Sequence, residues 1–204
     1  MRQMIAAAAL AAGCLCGCTS ETPRDRTDPS ASLPPRATRR EQQRVALAAR
    51  DALFQRLQTR LAEVMSEDGP VAAIAVCSEE APRLTEQTGQ QHGVAIGRTS
   101  HRLRNPDNAP PDWVRSMTEL HPVEPEFLGL PGERLGALLP IRLNDGCLVC
   151  HGPPEQIPAE VHDALAKHYP SDQATGFREG DLRGWFWVEV PARIAAPPGD
   201  VSVP

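Results

Sequence analysis

A chain of 204 residues, 41% of them hydrophobic, is long enough for one domain with a buried core. Its charged residues leave a net charge of −5, which excludes the basic footprint expected of a nucleic-acid binder. The longest apolar run is too short to cross a bilayer as a helix.

The chain opens MRQMIAAAALAAGCLCGCTS: one early arginine, an uncharged Ala/Leu-rich stretch, then small residues. That is the layout of an export signal. Within it, Leu15-Cys16-Gly17-Cys18 resembles the lipobox of bacterial lipoproteins, which implies cleavage before Cys18 and lipidation of that residue. Residues 1–17 are therefore expected to be a lipoprotein signal. The mature protein is expected on the periplasmic side of the cell envelope, anchored to membrane by lipid. Thr19, rather than Asp, after Cys18 points to the outer membrane. Residues 18–40, rich in Pro, Ser, Thr and charge, read as a flexible tether.

Residues 41–192 read as the folded domain. From about Ala37 to Ser66, Leu47, Phe54, Leu57, Leu61, Val64 and Met65 fall at helical intervals, until Asp68-Gly69-Pro70 stops the pattern. Pro70 suits the first turn of a second helix, in which Ile74, Cys77, Ala81 and Leu84 share a face. Pro82 kinks or ends that helix. Residues 92–99 read as a strand, followed by the turn-rich SHRLRNPDNAPP and a short helix from Pro111 to Leu120. Residues 134–143 form a strand pair or one bent strand, because Pro140 cannot donate within a central ladder. A helix over Ala159–His168 and a strand over 184–190 follow, and 193–204 reads as a disordered tail. Helices first, then strands with inserted helices, predict an α+β fold around an antiparallel sheet.

Six cysteines stand at 14, 16, 18, 77, 147 and 150. After processing, Cys77, Cys147 and Cys150 remain with unmodified thiols in an oxidising compartment. The run Cys147-Leu148-Val149-Cys150-His151 has three readings. Zinc needs four ligands at matching spacing, and His162 and His168, six apart, do not supply it. A thioredoxin-like pair belongs at a strand-to-helix junction of a βαβ unit, and that pattern is missing. Haem attachment accounts for every position. Cys147 and Cys150 lie one helical turn apart on one side, placed for two thioether bonds, and His151 is placed to ligate the iron. One covalently attached haem c per chain is expected.

Cys77 is left over: either a small buried hydrophobe or a ligand. The blocks AIAVCSEEAP, GRTSHRLRNPDNAPPDW, CLVCHG and DQATGFREGDLRGWFWVEV, in that order, resemble the PAS-like mono-haem c-type domains known from a cyanobacterial haem protein and from exported sensory portions of signalling proteins. The family has often been labelled a domain of unknown function. The resemblance spans roughly residues 40–192. It implies a PAS-like antiparallel sheet flanked by helices, with the long N-terminal helix and haem against it, and an unusual His/Cys iron coordination by His151 and Cys77. Val114 after Trp113, and the bulky Trp185-Phe186-Trp187, depart from the family pattern. Met65, Met117 and His92 are the competing sixth ligands, each read as core or surface. Arg98, Arg102 and Arg104 are candidates for pairing with haem propionates, since guanidinium matches carboxylate in a bidentate manner.

Two strong axial ligands close the iron to substrate, which argues against an oxygenase or peroxidase. No other catalytic constellation stands out, so no enzyme activity is expected. The resemblance points to a redox or gas sensor input module; the alternative is a one-electron transfer cytochrome of the cell envelope. With no transmembrane or kinase-like segment after the domain, either role needs an unidentified signalling or redox protein partner.

Overall fold

Thr38 starts the first helix with a capping box: its side chain accepts from the Glu41 N–H, and the Glu41 carboxylate accepts from the Thr38 N–H. Those bonds hold the Glu41 pKa below its usual value. In the computed structural model, which describes residues 33–194, helix α1 then runs Arg39–Glu67. Cys18, the signal, and most of the expected tether and tail lie outside the described residues. Among the described residues no helix is long and apolar enough to cross a membrane.

Helix α2 (Gly69–Ala75) and helix α3 (Ala81–His92) are joined by a π-turn over Val76–Glu80. There the Ala81 N–H bonds the carbonyl of Val76, five residues back instead of four. Pro82 has no N–H to offer an α-helical partner, and the wider turn carries the chain past it, so the helix neither ends nor breaks at Pro82. Gly93, at φ 63, closes α3 in the left-handed conformation.

Four strands, β1 (Ala95–Thr99), β2 (Glu126–Leu130), β3 (Arg134–Arg142) and β4 (Leu182–Val190), form one antiparallel sheet in the order β1-β4-β3-β2. Alternation decides the faces. Leu135, Ala137 and Leu139 of β3 and Phe186, Val188 and Val190 of β4 pack with Ala46, Ala49 and Leu53 of α1. Leu138 and Trp185 turn the other way, onto Val114 of helix α4 (Asp112–Glu119). Helices α5 (Leu148–His151) and α6 (Ala159–His168) complete the fold. This is the α+β architecture, with a long N-terminal helix over an antiparallel sheet, that the sequence predicts.

Two details differ from expectation, and one open alternative is decided. Strand β2 was not predicted; EFLGL is too short to signal a strand and becomes one by pairing with β3 across the Pro131–Glu133 turn. Residues 134–142 are one strand, and Pro140 is tolerated because β2 pairing stops at Leu138, leaving only β4 beside it. The end of the tether and the start of the tail are folded: Arg36 bridges Arg193, and the Ala37 N–H donates to the Ala192 carbonyl at 2.9 Å. Buried Gln42 secures that corner by donating to the carbonyls of Glu133 (2.9 Å) and Pro191 (3.0 Å).

Candidate functional site

The segment after β3 is shaped by its neighbours across the chain. Leu143 exchanges backbone bonds with Asp181 and Gly180, at 3.1 and 2.8 Å, and Cys147 Sγ donates to Asn144 Oδ1 at 3.1 Å as the chain turns into α5. The loop 172–177 then clamps the end of α5: the N–H groups of Gly176 and Phe177 donate to the carbonyls of Gly152 and His151, at 2.7 and 3.0 Å. Gly152 is required by close approach, since a Cβ there would lie 2.5 Å from the Leu148 carbonyl oxygen.

His151 Nδ1–H donates to the Ala174 carbonyl at 2.7 Å, which puts the ring's lone pair on Nε2. Burial, reinforced by Arg104 and Arg183, holds its pKa well below the ordinary histidine value. The side chain is thus a neutral imidazole of fixed tautomer, the form a metal requires. Phe177 stands edge-on to it, with centroids 6.4 Å apart. Burial pushes the Cys150 thiol pKa up.

Buried Arg104 organises this clamp. Its guanidinium reaches Asp172 at 3.0 Å and the carbonyls of Cys150 and Ala174 at 2.5 and 3.2 Å, while the other Asp172 oxygen accepts the Ala174 N–H at 2.7 Å. Arg102 donates to the carbonyls of Gln173 (2.9 Å) and Thr175 and lies over the Phe177 ring at 4.3 Å.

A cavity of about 570 Å³ opens between α1, the π-turn, the sheet and α5. Cys77, Cys147, Cys150 and His151 all line it, with Leu57, Leu61, Ile141 and Phe186 as apolar walls. Its size falls within the roughly 300–1,000 Å³ typical of cofactor sites. The residues fit a haem on three counts: a neutral imidazole with Nε2 available, two thiols on the same wall, and a third thiol contributed from a distant part of the chain.

A family model described as Tll0287-like, Tll0287, matches residues 34–191. The chain belongs to the Tll0287-like family. Among solved structures, the "Crystal structure of the cyanobacterial heme-protein Tll0287" is similar at 24% identity and a TM-score of 0.58, covering 78% of this chain and 100% of that one. At that identity the likeness is one of fold. No curated protein matches the chain.

In this Tll0287-like chain the structure gathers most of the predicted site residues. Arg98 and Arg104 line the cavity with the cysteines and His151, as does Met65. Arg102 is not in that wall, and its donors are engaged by loop carbonyls. Met117 packs in the cluster around Trp185, and His92 ends α3. Among the described residues the Arg98 side chain makes no hydrogen bond or salt bridge, and burial lowers its pKa against the opposing influence of Cys77 and Tyr169. Sequence reasoning missed Arg183, which lines the same cavity, donates to Ser100 Oγ (2.8 Å) and the Arg102 carbonyl (3.0 Å), and has its pKa lowered to about 10, mainly by burial. An arginine flanking an apolar strand reads as solvated, and only the bend that brings β4 beside Ser100 turns it inward.

Proposed function

We propose that this chain is an exported, lipid-anchored c-type haem protein that serves as a redox or gas sensor input module for a partner protein. Cys147 and Cys150 would hold the haem covalently, and His151 and Cys77 would ligate its iron. The observation that carries the reading is that these four side chains, with Cys77 far in sequence from the other three, line one cavity. Similarity to a solved structure described as that of a heme-protein supports it. When bound, the haem supplies one-electron chemistry, and a thiolate ligand stabilises its oxidised state.

The chain's own residues do the rest. The Ala174 carbonyl orients His151, and Arg98 and Arg183 present positive charge to carboxylates inside the cavity. Cys77 sits on the π-turn, a local irregularity of the kind found at functional sites. Glu80, in the same turn, pairs with Arg60 of α1 at 2.8 and 3.1 Å, so a shift of the turn is handed to the longest helix of the fold. That link favours a sensor, in which loss of the Cys77 ligand moves the helix carrying it.

Cys77→Ser is the deciding experiment. The parent protein is expected to be low-spin when oxidised, with a red-shifted Soret band and a potential well below that of a Met/His cytochrome. The variant is expected to become high-spin or water-ligated while its colour stays with the polypeptide through acid–acetone extraction. An unaltered oxidised spectrum and potential in Cys77→Ser would show that Cys77 is a packing residue. Release of Cys77 on reduction, seen as carbon monoxide binding to the ferrous protein, supports sensing; retention supports the electron-carrier alternative.

A further inference from the structure

We infer that the surface corner around His121 is an electron-exchange port, where a small one-electron carrier protein with a positively charged rim docks. The inference rests on the reading of the chain as a haem protein ligated by His151. It adds the route by which electrons enter or leave and the kind of partner that brings them.

A continuous series of rings runs from the ligating histidine to the surface. Phe177 meets His151 edge-on at 6.4 Å and His101 at 6.2 Å. His101 and His121 lie 4.5 Å apart by centroids. Trp185 braces both, 5.8 Å from His101 and stacked on His121 at 6.2 Å with 19° between the planes. His151 is half-buried and His121 is exposed, so the series spans the wall of the domain.

The outer rings are held in place by more than apolar packing. Fully buried Trp185 donates its indole N–H to the Pro122 carbonyl at 2.8 Å, fixing the loop that carries His121. His121 has φ 48, a left-handed conformation that non-glycine residues seldom adopt. Among the described residues, Nδ1 of His101 is buried without a hydrogen-bond partner, an exception that packing alone does not account for. A phenylalanine there would fill the same space with no unsatisfied nitrogen.

The surface at the outer end has the composition of a transient redox interface. Leu120 is 82% exposed and Val123 is 52% exposed, on either side of His121 and Pro122. Glu119, Glu124 and Glu126 are exposed around them. Of the nearby arginines, Arg115 pairs with Asp112, and Arg142 keeps its charge while donating to the Val123 and Gly180 carbonyls, so three carboxylates face one cation without an acidic partner among the described residues. An apolar centre with an acidic rim matches a carrier whose own apolar centre is rimmed by lysines, and such charge complementarity speeds encounter. In the exchange the haem iron loses or gains one electron and the carrier's metal gains or loses it; no bond is made or broken.

The test uses the haem-loaded protein with a lysine-rimmed cytochrome c as probe and an acidic ferredoxin as control. Amide shifts on titration with the ferric probe should map to residues 119–126, independently of any electron transfer. The triple variant Glu119→Lys, Glu124→Lys, Glu126→Lys should lose those shifts and slow electron exchange by about tenfold or more at low salt. The difference should fade at high salt, with spectrum and potential unchanged throughout. His101→Leu with His121→Ala should slow exchange while leaving the docking shifts in place. Shifts that map to the cavity mouth, stronger docking of the ferredoxin, or parent-like rates in the charge-reversal triple would overturn the port. A polypeptide that carries no covalent haem fails the parent reading at once, by its colour, whereas a coloured protein that docks elsewhere fails the port alone.

Discussion

Replacing Arg104 by methionine keeps most of the side-chain volume and removes every donor. The guanidinium is 9% exposed and the Asp172 carboxylate 12%, and they meet at 3.0 Å. In the variant Asp172 keeps its bond from the Ala174 N–H but is a buried charge without its counter-ion. Breaking such a pair from one side costs about 3–5 kcal/mol. For a domain of this size each kcal/mol moves the melting temperature by roughly 2–4 °C, so a fall on the order of 10 °C is expected. The carbonyls of Cys150 and Ala174 also lose a donor. Adding Asp172→Leu removes the stranded charge and should restore much of the loss, leaving the double variant about 1–3 kcal/mol below the parent for the missing hydrogen bonds. Urea unfolding at constant m-value, over all four corners of the cycle, measures this directly. An Arg104→Met cost under about 1 kcal/mol, or a double variant whose loss equals the sum of the singles, would refute the reasoning that the pair acts as a unit.

Burial is the main cause holding the pKa values of His101 and His151 below the ordinary value of 6.5. The unfolded chain therefore takes up protons first on acidification, and in the haem-free protein stability present above pH 6.5 is lost as pH falls below it. Urea midpoints of His101→Phe between pH 6.5 and 5 should fall less steeply than the parent's; equal slopes would discount His101. Arg98→Leu removes a half-buried cation without a partner among the described residues. It should stabilise a haem-free Cys147→Ser, Cys150→Ser background by on the order of 1 kcal/mol and destabilise the loaded protein; effects of the same sign in both would reject a role in holding an anion. In Gly184→Ala the new Cβ would overlap the Thr99 carbonyl oxygen and lie 3.0 Å from Ser100 Cβ. A loss of about 1–3 kcal/mol is expected in urea unfolding, and a neutral result would mean the β1–β4 junction is loose.

What was legible in the sequence was what local spacing encodes. The apolar periodicity from Leu47 to Met65 and the stop at Asp68-Gly69-Pro70 located α1 almost to the residue; the Thr38–Glu41 box that fixes its start was not read. Cys147, Cys150 and His151 were legible because one helical turn brings them together without help from the rest of the fold. Cys77 was half legible: as a leftover cysteine on an apolar helix face it read as a buried hydrophobe or a ligand, and the family resemblance decided between them, because its place beside the others depends on how the helices dock. The π-turn had no signal apart from Pro82. The roles of the three predicted arginines were hidden for the same reason, since Asp172 and the loop carbonyls that engage Arg102 and Arg104 lie some seventy residues further along the chain. Arg98 and Arg183 face the cavity through the crossing of β1 and β4, which no window of sequence displays.

The bridge between Arg36 and Arg193 has a mechanical consequence. The described chain enters and leaves the fold at one spot, where Ala37 bonds Ala192 and Gln42 spans from α1 to the carbonyl beyond β4. Tension between its two ends falls first on those few bonds, as a zipper pulled open from one end, while the walls of the cavity lie downstream of the load. Closing the chain into a ring at that spot would leave every strand pairing and every cavity wall in place.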